Sequence, residues 1–200
     1  MVPADDGGWH RFREGCPDAF AGLFRRHGQS IYNYCFRRTA DWALAEDLTS
    51  VVFLEAWRHR EELPAHRDSL VPWLYGVASN VLRNHRRSSR RREALLKRLS
   101  PEDLPDFSDD LVDRLDATRQ MQEILEVIER LPLRQQDVLS LCLWEGLSYE
   151  ETAFALGLPV GTVRSRLARA KASIRRSAVA DSPTDGSKAS MTQQAEVDHG

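Results

Sequence analysis

The sequence has no C-x-x-C pair, and its three cysteines, Cys16, Cys35 and Cys142, are odd in number and far apart. This argues against a disulfide framework and against a zinc site, and leaves buried, reduced thiols as the simpler reading. No apolar run is long enough to span a bilayer, and the first residues carry Asp5 and Asp6 in place of an apolar leader. The expectation is a cytoplasmic protein with no membrane insertion. No stretch alternates like a strand, no segment repeats, and no glycine-rich phosphate loop or activated nucleophile appears. His59 and His66 lack metal-ligand neighbours, and the adjacent Glu150 and Glu151 are better explained by helix capping. No catalytic residue, metal or cofactor is expected, and the chain is not read as an enzyme.

What is present is charge, strongly segregated. The formal net charge is only -2, but Arg86, Arg87, Arg90, Arg91, Arg92, Lys97 and Arg98 form a basic block. Directly after it come Glu102, Asp103, Asp106, Asp109, Asp110 and Asp113, with Pro101, Pro105 and Ser108 among them. The acidic stretch reads as an extended, flexible linker between two small domains. The residues after about 180 are rich in Ser, Thr, Gln, Asp and Gly and read as disordered.

Helical periodicity runs through the rest. Phe20, Leu23, Phe24, His27, Ile31, Tyr34 and Cys35 recur at helical spacing, as do Leu74, Val77, Ala78, Val81 and Leu82, and later Met121, Ile124, Leu125, Ile128 and Leu131. A further helix is expected over 134–144, ending near Gly146. The fold class is all-α.

Near the C-terminal end, Ser148-Tyr149-Glu150-Glu151 has the spacing of a capping box, which predicts a short helix closed at Gly157. A turn over 158–161 leads into a second helix. Its face of Val163, Leu167, Ala170 and Ile174 is apolar, while Thr162, Arg164, Ser165, Arg166, Arg169, Lys171 and Arg175 project outward. Two short helices with small Ala153 at their crossing describe a helix-turn-helix, whose second helix enters the major groove of DNA. A solvated basic face on an ordinary helical hairpin is the other reading.

Two earlier helices carry more than packing requires. Over 44–57, apolar residues surround most of the helix and leave Glu46, Asp47 and Ser50 as a narrow polar stripe. The surplus apolar surface either docks a partner protein or lies buried on all sides. Over 70–92, the face opposite the core stripe carries Trp73, Gly76, Asn80, Arg83, Asn84 and Arg87. An aromatic ring, side-chain amides and cations together suit single-stranded nucleic acid.

The stretches AEDLTSVVFLEAW (45–57), PWLYGVASNVLRNHRR (72–87) and LPLRQQDVLSLCLWEGLSYEETAFALGLPVGTVRSRLARAK (131–171), in that order around an acidic linker, resemble an extracytoplasmic-function (ECF) sigma factor of the sigma-70 family. The resemblance covers about 18–177. It implies a factor that binds core RNA polymerase, directs it to promoters and helps melt the minus-ten DNA. It implies an N-terminal extension (1–17), region 2 (18–98), a linker (99–114), region 4 (115–178) and a tail (179–200). By the resemblance, Glu46, Asp47, Leu48 and Phe53 contact the β′ clamp helices, although Ser50-Val51 stands where many members carry Gln-Glu. Trp73, Asn80, Arg83, Asn84 and Arg87 meet the minus-ten strand, with the 59–69 loop holding a flipped base. Thr162, Arg164, Ser165, Arg166, Arg169 and Lys171 meet the minus-thirty-five duplex, and region 4 touches the β flap. An anti-sigma factor is a further expected partner. The alternative is a helix-turn-helix regulator that binds an operator without polymerase.

Overall fold

The computed structural model describes residues 8–63, 69–99 and 112–180. Among them the regular elements are helical: α1 (Gly8–Arg13), α2 (Pro17–Thr39), α3 (Trp42–Arg58), α4 (Val71–Leu99), α5 (Val112–Glu129), α6 (Leu133–Leu139), α7 (Tyr149–Leu156) and α8 (Val160–Ala180). A 3-10 turn, Arg60–Glu62, follows α3, and a π-helical turn, Ser140–Trp144, extends α6.

Local chemistry sets the ends of these helices. Pro17 opens α2, where a missing N–H costs nothing. Asp41 caps α3 by accepting a hydrogen bond from the Leu44 amide at 2.9 Å. The reciprocal box at α7 is formed: Ser148 Oγ accepts from the Glu151 amide and a Glu151 carboxylate oxygen from the Ser148 amide. Gly157, with φ +62, closes that helix in the left-handed region.

The first half packs α2, α3 and α4 around Leu23, Ile31, Tyr34, Val52, Phe53, Leu74 and Leu82. The Tyr34 hydroxyl is paired with Ser79 Oγ at 2.9 Å inside that core. Helix α1 falls within the segment expected as an extension, yet Phe12 is 0% exposed. Its ring lies edge-on to Trp57 and Trp73 and is stacked at 6.3 Å on Phe20. A six-residue helix is too short to show a periodic stripe, which is why periodicity passes over it.

The second half packs α5 to α8 around Ile128, Leu131, Val138, Val163, Leu167 and Ala170. The two halves are docked. Leu141 and Leu147, from the second, belong to the core of the first. Residues Gln136, Asp137, Val138, Leu139, Ser140 and Leu141 are buried in succession, because α6 and its π turn lie between the two halves. The helices also reach into the expected linker, α4 through Leu99 and α5 from Val112. The acidic residues 102–110, His66 and most of the expected tail lie outside the described residues.

Candidate nucleic-acid and polymerase interface

Helix α3 resolves the choice left by its composition. Leu48 and Phe53 are 4% and 2% exposed, whereas Val51 and Leu54 are 41% and 55% exposed. Glu46, Asp47 and Ser50 are exposed beside them. The outward stripe is therefore Glu46, Asp47, Ser50, Val51 and Leu54, which share one face at helical spacing. Phe53 is corrected from a surface contact to a core residue, its ring 4.8 Å from Phe24. Leu48 is likewise buried and forms part of the floor of the adjacent groove.

That groove, of about 750 Å³, runs between α3 and α4 and is lined by Val51, His59, Trp73, Asn80, Asn84 and others. Asn80 and Asn84 are exposed. The Asn80 side-chain oxygen accepts from Arg83 Nη1 at 3.2 Å. Trp73 is half-buried against Phe12, so only part of its ring faces outward. His59 sits between Glu62 (2.7 Å) and Glu55 (3.4 Å). The hydrogen bond to Glu62 leads the causes that hold the imidazole above its ordinary pKa.

In α8, Val163, Leu167 and Ala170 are buried, as the apolar stripe predicts. Arg164, Ser165 and Arg169 are exposed, whereas Thr162, Arg166 and Lys171 are half-buried. The Arg164 guanidinium lies 5.6 Å from the centre of the Tyr149 ring.

Two features were not legible in the sequence. One is a cleft of about 760 Å³ that brings Arg83, Arg87 and Arg90 of α4 together with Arg134 and Arg166 of the second half. The other is a set of charge pairs across the halves. Asp137, its side chain 6% exposed, accepts from Arg38 and Arg83, each at 3.1 Å. Glu145 accepts from Arg37 at 3.0 Å and from the Tyr75 hydroxyl at 2.6 Å. Arg86 donates to Gln136 and Glu129. Burial pushes the Glu145 carboxyl above its ordinary pKa, opposed by Tyr75 and Arg37. A sequence signal for Asp137 does exist: it is a lone carboxylate in the otherwise apolar run DVLSLCLW.

No helix among the described residues is long and apolar enough to cross a membrane. Among those residues, no group of three His, Cys, Asp or Glu side chains is placed to hold a metal ion.

Comparison with known proteins adds an independent line. The family model of sigma-70 region 2 matches residues 23–92, and that of sigma-70 region 4 matches residues 121–174. The chain is 35% identical over 134 residues to the RNA polymerase sigma factor HrpL of Pseudomonas syringae pv. syringae, covering 66% of this chain and 71% of that one. It is 32% identical over 170 residues to the RNA polymerase sigma factor CarQ of Myxococcus xanthus, covering 82% and 92%. Among solved structures, CnrH in complex with the cytosolic domain of CnrY superimposes with a TM-score of 0.66 at 23% identity, covering 90% of this chain and all of that one. The sigma factor RpoE from Bartonella quintana, in complex with the anti-sigma factor NepR, gives 0.60 at 20% identity, covering 82% and 98%. At these identities the structures show a shared fold.

Proposed function

Because the chain belongs to the sigma-70 family of RNA polymerase sigma factors, in its extracytoplasmic-function group, it binds core RNA polymerase and directs it to promoters, and we propose how its residues divide that work. It is an initiation factor, not an enzyme, and the bond chemistry is the polymerase's.

The α3 stripe is the polymerase-binding face. Glu46 and Asp47 supply charge there, and Val51 and Leu54 supply the apolar area that Leu48 and Phe53, being buried, do not. The observation that carries this assignment is the exposure of two large apolar side chains beside carboxylates, next to the groove of α4.

The groove holds the non-template strand of the minus-ten element. Asn80 and Asn84 present amides to base edges, and Arg87 meets phosphate. A base captured there compensates for its lost stacking, about a few kcal/mol, so binding drives melting. Arg164, Ser165 and Arg169 of α8 meet the minus-thirty-five duplex, and Thr162, Arg166 and Lys171 flank them. Region 2 corresponds to 18–98 and region 4 to 115–178, with α1 added to the former on the packing of Phe12. The working compartment is the cytoplasm, where polymerase is. An anti-sigma factor is a further partner, by similarity to RpoE, whose structure is of its complex with the anti-sigma factor NepR.

Run-off transcription from a promoter library with bacterial core polymerase tests this reading. Defined start sites are expected only when the chain is present. Asp47→Ala and Asn80→Ala are expected to weaken those transcripts about tenfold each, in keeping with the loss of one good contact. Selection of duplex sites by the free chain, with no effect on core polymerase, would instead favour an operator-binding regulator. The exposed α3 stripe has no role in that alternative.

A further inference from the structure

We propose that the arginine-lined cleft at the seam between the halves is a binding site for a small polyphosphate, a chain of linked phosphates that is either bare or carried by a nucleoside. The site is read from the cleft alone, and only its consequence for promoter binding rests on the assignment of α4 and α8 to the two promoter elements.

The cleft, of about 760 Å³, has seven arginines and one carboxylate, Asp137, in its lining. Two of the seven are already satisfied, Arg83 by Asp137 and Arg86 by Glu129 and Gln136. The other five, Arg87, Arg90, Arg91, Arg134 and Arg166, have no hydrogen-bond or ion-pair partner among the described residues. Asp137 does not neutralise them, because its two oxygens accept from Arg38 and Arg83.

Packing thus draws unpaired guanidinium groups from α4, α6 and α8 to one space, where they repel one another. The crowding reaches Arg86, whose pKa is lowered by burial first and then by the charges of Arg38 and Arg90. A polyanion in the cleft relieves that repulsion at several groups at once.

The arrangement of donors selects a chain of phosphates. Arg83, Arg87 and Arg90 share one face of α4 at helical spacing, a row roughly 10 Å long, and Arg134 and Arg166 come to the same cleft from the second half. Each planar guanidinium fork takes two phosphate oxygens, so a row of forks matches linked phosphates better than one. The volume falls among small-molecule sites, about 300–1,000 Å³. A duplex, whose major groove alone is about 12 Å wide, does not enter such a cleft. Leu133, Leu156 and Leu158, each half-buried, supply an apolar part of the lining that suits a nucleobase. Arg87 and Arg166 also carry promoter assignments, so ligand and promoter compete for them.

Isothermal titration calorimetry of the full chain with sodium tripolyphosphate, ATP and orthophosphate, at fixed ionic strength, tests the site. Tripolyphosphate is expected to saturate one site per chain, and orthophosphate to bind at least about tenfold more weakly. Arg90→Ser and Arg134→Ser change exposed residues that have no promoter assignment. With helix content retained by circular dichroism, each is expected to weaken tripolyphosphate about tenfold. Arg25→Ser removes the same charge from the exposed surface of α2 and is expected to change nothing. ATP binding tighter than tripolyphosphate identifies a nucleoside polyphosphate seated on the leucines, and equal binding identifies the bare chain; the site stands in both cases. Absence of saturation would overturn it, and so would equal losses in Arg25→Ser and the cleft variants, which mark general attraction to a cationic surface. Tripolyphosphate is also expected to displace a labelled single-stranded minus-ten oligonucleotide. Saturable binding without displacement would leave the site and remove the promoter assignment of Arg87 instead.

Discussion

Cys35 and Cys16 show how one residue type acquires opposite chemistry from its surroundings. Burial pushes the Cys35 thiol up to about 12, leaving almost no thiolate at neutral pH. Cys16 stands at the start of α2, where the Ala19 amide is the leading cause of a lowered pKa, and Arg11 Nη2 donates to its sulfur at 3.3 Å. Iodoacetamide at neutral pH, followed by mass spectrometry, is expected to modify Cys16 first and Cys35 only after unfolding. Equal rates at both would contradict the burial argument. The sequence suggests reduced thiols, but it does not separate these two, because burial and a nearby helix terminus are properties of the folded surroundings. Phe53 carries the same lesson. Apolar residues cover so much of α3 that composition does not decide which of them turn outward.

At the scale of elements, the helix-turn-helix is the part that local physics specifies best. Its cap, its left-handed glycine and its apolar stripe all act within a few residues of one another, so each is written in consecutive sequence. Ser148→Ala removes the acceptor for the Glu151 amide and is expected to cost about 1 kcal/mol. In a chain of this size that corresponds to roughly 2–4 °C in a thermal melt. No change in melting temperature would mean that the box is not under load. α6 is the opposite case. With its π turn it buries six residues in succession, Gln136 to Leu141, which make no sense as one amphipathic stripe, and only their place between two packed halves explains them.

For the whole molecule, the question is whether the halves unfold together. They share core residues and a buried ion-paired network in which Arg38, its side chain 2% exposed, depends on Asp137 and on Ser140 Oγ. The Arg38 Nε is already buried without a hydrogen-bond partner, so little other satisfaction is available. Removing one member of a buried pair typically costs about 3–5 kcal/mol, unless the structure opens to let water in. Calorimetry of the wild-type chain is therefore expected to give one cooperative transition. Asp137→Ala is expected to lower it and divide it in two as the seam yields. An unchanged single transition would show that the seam contributes little.

Sequence alone determined the longer helices, the cap and closing glycine of α7, the turn before α8, the segregation of charge and the order of motifs that marks the family. These depend on interactions between near neighbours, so periodicity and spacing reveal them. Tertiary structure decided which α3 residues face outward, that Phe12 belongs to the core, and that Arg38 meets Asp137 and Gly76 meets Ala155. Those pairings join residues far apart in the chain. No local pattern encodes which of many arginines meets which carboxylate, and the choice is made by how two apolar faces pack.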